Sequence, residues 1–216
     1  MNKQIEIEVK QTKLTLRDDG SIFVPAWGAL LVADLHLGKE RSFRAGGIPV
    51  PDGPSAATLE LLSDAIRRTE CQQVIFLGDL IHDGRSLSPE LIEDFATMRS
   101  CWHALSMHLV RGNHDRHVSI FPASWDLQVH QELEVDSVTL VHAAPEEIAV
   151  ERYYLEGHWH PVTIVGRGAD QMRVRCFVDH GNRLTLPAFG PFKGGMKIHT
   201  QSARVYPILP GAVLGV

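Results

Sequence analysis

Short apolar runs alternate with amphipathic stretches along much of this chain. Residues 3–33 read as short strands with a turn at Asp18-Asp19-Gly20. Ala29 to Ala33 is continuously apolar, the pattern of a strand buried on both faces. Over about 55–68, Leu59, Leu62 and Ile66 recur at helical spacing. Val74-Ile75-Phe76-Leu77 is a second buried strand. Ser88-Pro89 supplies an N-cap and a first-turn proline, and the helix that follows turns Leu91, Phe95, Met98, Trp102 and Leu105 inward. Further strands are predicted at about 106–110, from Val138 to Val141 and from Tyr153 to Glu156. Roughly 162–210 reads as strands separated by Gly and Pro turns. No repeat, low-complexity tract or linker interrupts the pattern, so residues 1–216 are read as one domain of α/β class.

The polar residues that follow the apolar runs change the picture. Asp34-Leu35-His36 follows the first run and Gly78-Asp79 the second. Arg111-Gly112-Asn113-His114-Asp115, then His142, then Gly157-His158-Trp159-His160-Pro161 follow the next three. Ligands of α/β sheets bind just outside the C-terminal ends of strands, so five such ends can converge on one site.

Composition sets the outer bounds. The net charge of −5 argues against broad, nonspecific binding to nucleic acid but permits local basic patches. No apolar run is long enough to span a membrane, and Met1 to Glu8 alternates apolar with polar residues as a strand does, not as a signal peptide does. The expected compartment is the cytoplasm, with no membrane partner. Cys71, Cys101 and Cys176 are far apart and odd in number, which reads as reduced packing residues and not as a zinc or redox motif. Histidine, with twelve residues, is the informative excess.

Asp34, His36, Asp79, Asn113, His142, His158 and His160 are the candidate metal ligands. Two carboxylates, an amide oxygen and four imidazoles suit Mn²⁺, Fe or Zn²⁺ better than the all-oxygen preference of Ca²⁺. Seven ligands exceed the needs of one ion and fit two if a carboxylate bridges. Two ions about 3.5–4 Å apart generate hydroxide near neutral pH and offset charge on phosphoryl oxygens. Taken singly, each motif also reads as a turn or a capped loop. Five in order do not.

Asp34-Leu35-His36, Gly78-Asp79, Gly112-Asn113-His114-Asp115, His142 and Gly157-His158-Trp159-His160 resemble the five ordered motifs of the calcineurin-like metallophosphoesterases. The resemblance implies a four-layer α/β/β/α sandwich, two mixed β-sheets flanked by helices. It implies one metal on Asp34, His36 and His160, a second on Asn113, His142 and His158, and Asp79 bridging them. His114 would be the catalytic histidine, and Asp115 could orient it. In the second motif His82 stands where the family often has an acid, which makes it a candidate for the shell behind the ligands.

The text around the motifs narrows the resemblance. Asp34 to Glu40, Gly46-Gly47-Ile48-Pro49-Val50-Pro51, Gly78 to His82, Leu186 to Gly190 and Gly194-Gly195 are similar to the bacterial ligase-associated DNA-damage-response endonucleases. That implies a DNA phosphodiesterase in DNA repair, working beside a DNA ligase, an exonuclease and a helicase. It also implies two divalent ions per chain, Mn²⁺ first among the candidates. A small-molecule phosphomonoesterase or nucleotide phosphodiesterase would use the same metal centre, and a non-catalytic scaffold would be expected to lack ligands that are present here. Lys39, Arg41, Arg44, Arg85 and Arg116 follow closely on the motifs, either as solvated surface or as a phosphate-binding rim. Of these, Lys39, Arg41 and Arg116 are the candidate substrate contacts. His103, His108, His117, His130 and His199 read as surface or strand residues, and His180 as part of a turn.

Overall fold

The computed structural model describes residues 4–148, 151–191, 194–197 and 202–215; His199 lies outside them. The first sheet is laid down in chain order. Strands β1 (Ile5–Val9), β2 (Thr12–Leu16), β3 (Ile22–Val24) and β4 (Ala29–Val32) meander antiparallel. The expected turn at Asp18-Asp19-Gly20 is closed by the Gly20 N–H donating to the Arg17 carbonyl. Three crossovers then add β5 (Gln73–Leu77), β6 (Ser106–Val110) and β7 (Leu127–His130), all parallel to β4.

Helix α1 (Lys39–Ala45) and helix α2 (Pro54–Thr69) fill the first crossover, and α3 (Pro89–Cys101) the second. At the start of α3, Ser88 accepts from the Leu91 N–H at 3.2 Å, as its sequence predicts. At the start of α2 the Ser55 N–H donates to the buried carboxylate of Glu40 in α1, an anion placed at a helix N-terminus. α3 ends before Trp102 and Leu105, which pack on the core from the turn beyond it. α1 and β7 were not predicted: seven and four residues are too short to show a period.

The second sheet holds β8 (Leu133–Val135), β9 (Val138–Leu140), β10 (Tyr153–Glu156), β11 (Pro161–Val165), β12 (Met172–Asp179), β13 (Arg183–Thr185), β14 (Met196–Lys197), β15 (Arg204–Leu209) and β16 (Ala212–Val213). It is mixed too: β10 runs parallel to β9 and β13, while β12 is antiparallel to β11, β13 and β15. The turn that carries His180 joins β12 to β13, with the His180 N–H donating to the Arg183 carbonyl. The two mixed sheets with flanking helices are as expected. Among the described residues all three α-helices precede Trp102, and the helical turns beyond it are single 3-10 turns.

Side-chain alternation divides the apolar residues between two cores. Leu30, Val32, Val74, Phe76, Met107 and Leu109 face the helices, where they meet Leu62, Ile66 and Phe95. Ala29, Leu31, Ile75, Leu77 and Val110 face the second sheet, where they meet Leu140, Leu155, Phe177 and Leu184. β4 and β5 are therefore buried on both faces, which is why their sequences are unbroken apolar runs.

Candidate metal centre

Beyond β4 and β5 the backbone continues as a ladder outside the sheet. The Asp34 N–H donates to the Gly78 carbonyl at 3.1 Å and the His36 N–H to the Asp79 carbonyl at 2.8 Å. The two sheets join at the same edge, where the Phe189 N–H donates to the Ala33 carbonyl and the His158 N–H to Asp34 Oδ2, each at 2.8 Å. Sheet packing therefore brings residues more than a hundred positions apart to one place.

The backbone is strained here. Asp34, His36, Asp79, His158 and His160 all have φ between 43° and 68°. Non-glycine residues enter that region at a cost of order 1–3 kcal/mol each, and such strain clusters at functional sites. Glycine clears the space around them: a Cβ added at Gly78 would fall on the His142 ring, and one at Gly112 on the Asp79 carboxylate.

The candidate ligands form two groups. In the first, His160 Nε2 lies 3.2 Å from His36 Nε2 and 3.3 Å from Asp34 Oδ1. In the second, His142 Nε2, His158 Nδ1 and Asn113 Oδ1 are 3.0–3.1 Å from one another. Between the groups, Asp79 Oδ2 is 3.7 Å from His36 Nε2 and 3.4 Å from His142 Nε2.

These spacings fit cations. Donors about 2.1 Å from one ion and at right angles around it stand about 3.0 Å apart. The Nδ1–H of His142 donates to the Leu77 carbonyl at 3.0 Å, which directs the Nε2 lone pair into the cluster. Asp34 Oδ1 is buried and, among the described residues, accepts no hydrogen bond, a cost that a cation would remove.

The electrostatics record the negative field of the two buried carboxylates, Asp34 and Asp79. Burial works against charge on Asp79 and His142, but each supports the other. Asp79 is held below the usual carboxylate range, and His142, also close to Asp34, is raised to about 9. Burial, with His142 close by, lowers the pKa of His158, which favours the neutral ring that binds metal.

The remaining candidates are placed as follows. The backbone N–H of His114 donates to Asp79 Oδ1 at 2.9 Å, and its ring Nδ1 donates to the His82 carbonyl. Among the described residues the Asp115 carboxylate hydrogen-bonds to backbone and not to that ring. It accepts from the Gly112 N–H at 2.9 Å and the Ile81 N–H at 3.2 Å, and so braces two motif loops against each other. The His82 ring stands behind His36, with their Nδ1 atoms 3.4 Å apart.

The basic candidates differ in their company. Lys39 lies over the Phe43 ring at 5.4 Å, Arg41 faces Glu90 at 3.5 Å, Arg44 pairs with Asp52, and Arg85 faces Asp83 at 3.7 Å. Arg116 is exposed beside the second group. Cys71 and Cys176 are buried, but Cys101 is exposed at the end of α3, which corrects the reading of all three as packing residues. Sequence reasoning missed the Leu77 and His82 carbonyls, which carry no side-chain signal. It also passed over Arg111, although Arg111 opens the third motif.

No helix among the described residues is long and apolar enough to cross a membrane. No curated protein matches the chain. The structure of the nuclease MPE from Pseudomonas putida is similar over 95% of this chain and 97% of that one, with 34% identity and a TM-score of 0.82. Two more distant structures are a protein of unknown function, AQ665, from Aquifex aeolicus and the phosphoesterase Yfce from E. coli. Each is 16% identical with a TM-score of 0.40; the first covers 66% of this chain and 81% of its own, the second 82% and 87%. The family model for calcineurin-like phosphoesterases matches residues 29–193. That span is more than half of the chain and contains all five strand-end motifs, so the chain belongs to the calcineurin-like phosphoesterases and is a metal-binding hydrolase of phosphate esters.

Proposed function

We propose that this phosphoesterase is a Mn²⁺-dependent DNA phosphodiesterase, an endonuclease of DNA repair. One observation carries the reading: the likeness to the Pseudomonas putida nuclease extends over nearly the whole of both chains. In this reading residues 1–216 form one domain. It works in the cytoplasm, alongside the ligase, exonuclease and helicase that the sequence resemblance implies.

Asp34, His36 and His160 would hold one divalent ion, Asn113, His142 and His158 the other, with Asp79 between them. When bound, such a pair supplies a hydroxide nucleophile near neutral pH and offsets charge on the phosphoryl oxygens. His114 acts on the leaving group. Its Nδ1–H is held by the His82 carbonyl, so a second proton on Nε2 makes that nitrogen a donor to the departing oxygen. Asp115 positions His114 indirectly, by tying the Gly112 and Ile81 backbones together.

The test is an activity panel on chelator-stripped protein with Mn²⁺ restored. It compares a bis-aryl phosphodiester, an aryl monoester, cyclic nucleotides, and single- and double-stranded DNA. DNA and the diester should be cleaved. Rapid monoester turnover without DNA cleavage overturns the reading in favour of a small-molecule phosphatase.

A further inference from the structure

We propose that the cavity beside Asn113, His142 and His158 is a second phosphate subsite, through which Arg111 and Arg116 select a polynucleotide strand over an isolated phosphate ester. The inference rests on the nuclease reading and goes beyond it by naming the side of the metal centre along which the strand runs.

The cavity has a volume of about 490 Å³, and its wall includes Asn113, His142 and His158 from the second ligand group. Arg111 and Arg116 line it too, with one carboxylate, that of the exposed Glu132. A chain extends at most about 3.6 Å per residue, so Arg111 and Arg116 stand within about 7 and 11 Å of Asn113 along the backbone. That is the neighbourhood of a phosphate flanking the one under attack.

Charge separates this side of the centre from the other. There, Arg41, Arg44 and Arg85 each face a carboxylate of the protein, and Lys39 lies over the Phe43 ring. Among the described residues neither Arg111 nor Arg116 has an ion pair, and Arg111 Nε is buried without a hydrogen-bond partner. A buried guanidinium N–H without an acceptor is costly, and a planar fork of donors is the group best matched to phosphate oxygens. A monoester or small diester bound at the metals has no second phosphate to place there. A nucleic-acid strand always has one.

The experiment compares kcat/KM for a single-stranded oligonucleotide with that for a bis-aryl phosphodiester in Arg111→Gln, Arg116→Gln and the double variant, with Mn²⁺ present. The oligonucleotide-to-diester ratio should fall at least tenfold in the double variant, more than in Lys39→Ala with Arg41→Ala. The log–log salt slope of oligonucleotide binding should shrink by about 0.7 for each phosphate that is no longer neutralised. Glu132→Gln, which removes the opposing charge from an exposed side chain, should raise the ratio and carries the test if the Arg111 variants do not fold. A wild type that cleaves oligonucleotides, with the ratio unmoved in these variants or with both substrates slowed equally, overturns the subsite and leaves the nuclease reading standing. A wild type that turns over the aryl ester but no oligonucleotide overturns the nuclease reading itself.

Discussion

The backbone N–H of His114 donates to Oδ1 of Asp79 across 2.9 Å, which leaves Oδ2 facing the imidazoles of both ligand groups. Asp79 is thereby tied to the candidate ligand set through its side chain, and His114 through its peptide. Asp79→Asn should empty the site of metal. His114→Ala should retain metal and slow turnover by ~10²–10⁴-fold, the loss of a general acid. Metal analysis of the two purified variants decides between these roles; a metal-free His114→Ala protein would reverse them.

Gly112 tests the crowding around Asp79 without replacing a candidate ligand. Its backbone is not in the left-handed region, so an added methyl acts only through its contact with the Asp79 carboxylate and peptide nitrogen. Gly112→Ala should cost about 1–3 kcal/mol of stability, as overpacking does, and should lower bound metal per chain by more than half. Thermal melts and metal content measured on the same preparation check both. Full metal occupancy would show that the loop absorbs the methyl.

Trp159 stands between two candidate ligands, is 41% exposed and meets the His158 ring edge-on at 5.1 Å. On the nuclease reading, an exposed indole beside the candidate metal centre offers a face on which an unpaired base can stack. Stacking of this kind contributes about 1–3 kcal/mol, so Trp159→Ala should weaken single-strand binding by roughly 5–150-fold and Trp159→Phe by much less. Binding measured in a His114→Ala background separates affinity from turnover. Equal affinity of all three proteins would remove the indole from the strand path.

The cysteines predict a stoichiometry. Burial raises the Cys71 thiol, and raises Cys176 to about 12, while Cys101 is exposed. The thiolate is the reactive form, so a disulfide reagent at neutral pH should titrate one thiol quickly in the native protein and three in denaturant. Rapid reaction of two or more thiols in the native protein would mean that a core opens readily.

Residual activity after exhaustive chelation should fall below a few per cent and return with Mn²⁺, because the donor set is that of a cation site. Metal content measured beside activity guards against a slowly released ion. Full activity in a metal-free preparation would end the metal-dependent reading.

The sequence by itself determined the buried strands, the two long helices and the seven candidate ligands. Those features are local: a strand buried on both faces needs an unbroken apolar run, and a motif glycine is required wherever a ligand packs against backbone. Tertiary structure decided what the residues do to one another. The partner of the His114 ring is the carbonyl of His82, and Asp115 is spent on the backbones of Gly112 and Ile81. A carbonyl has the same chemistry at every position, so no spacing announces it. The fate of the basic residues was hidden for a related reason. Lys39, Arg41, Arg111 and Arg116 all lie close in sequence to a ligand. Whether a cation is matched by Glu90, laid over Phe43 or left facing the cavity depends on elements that approach only when the chain has folded.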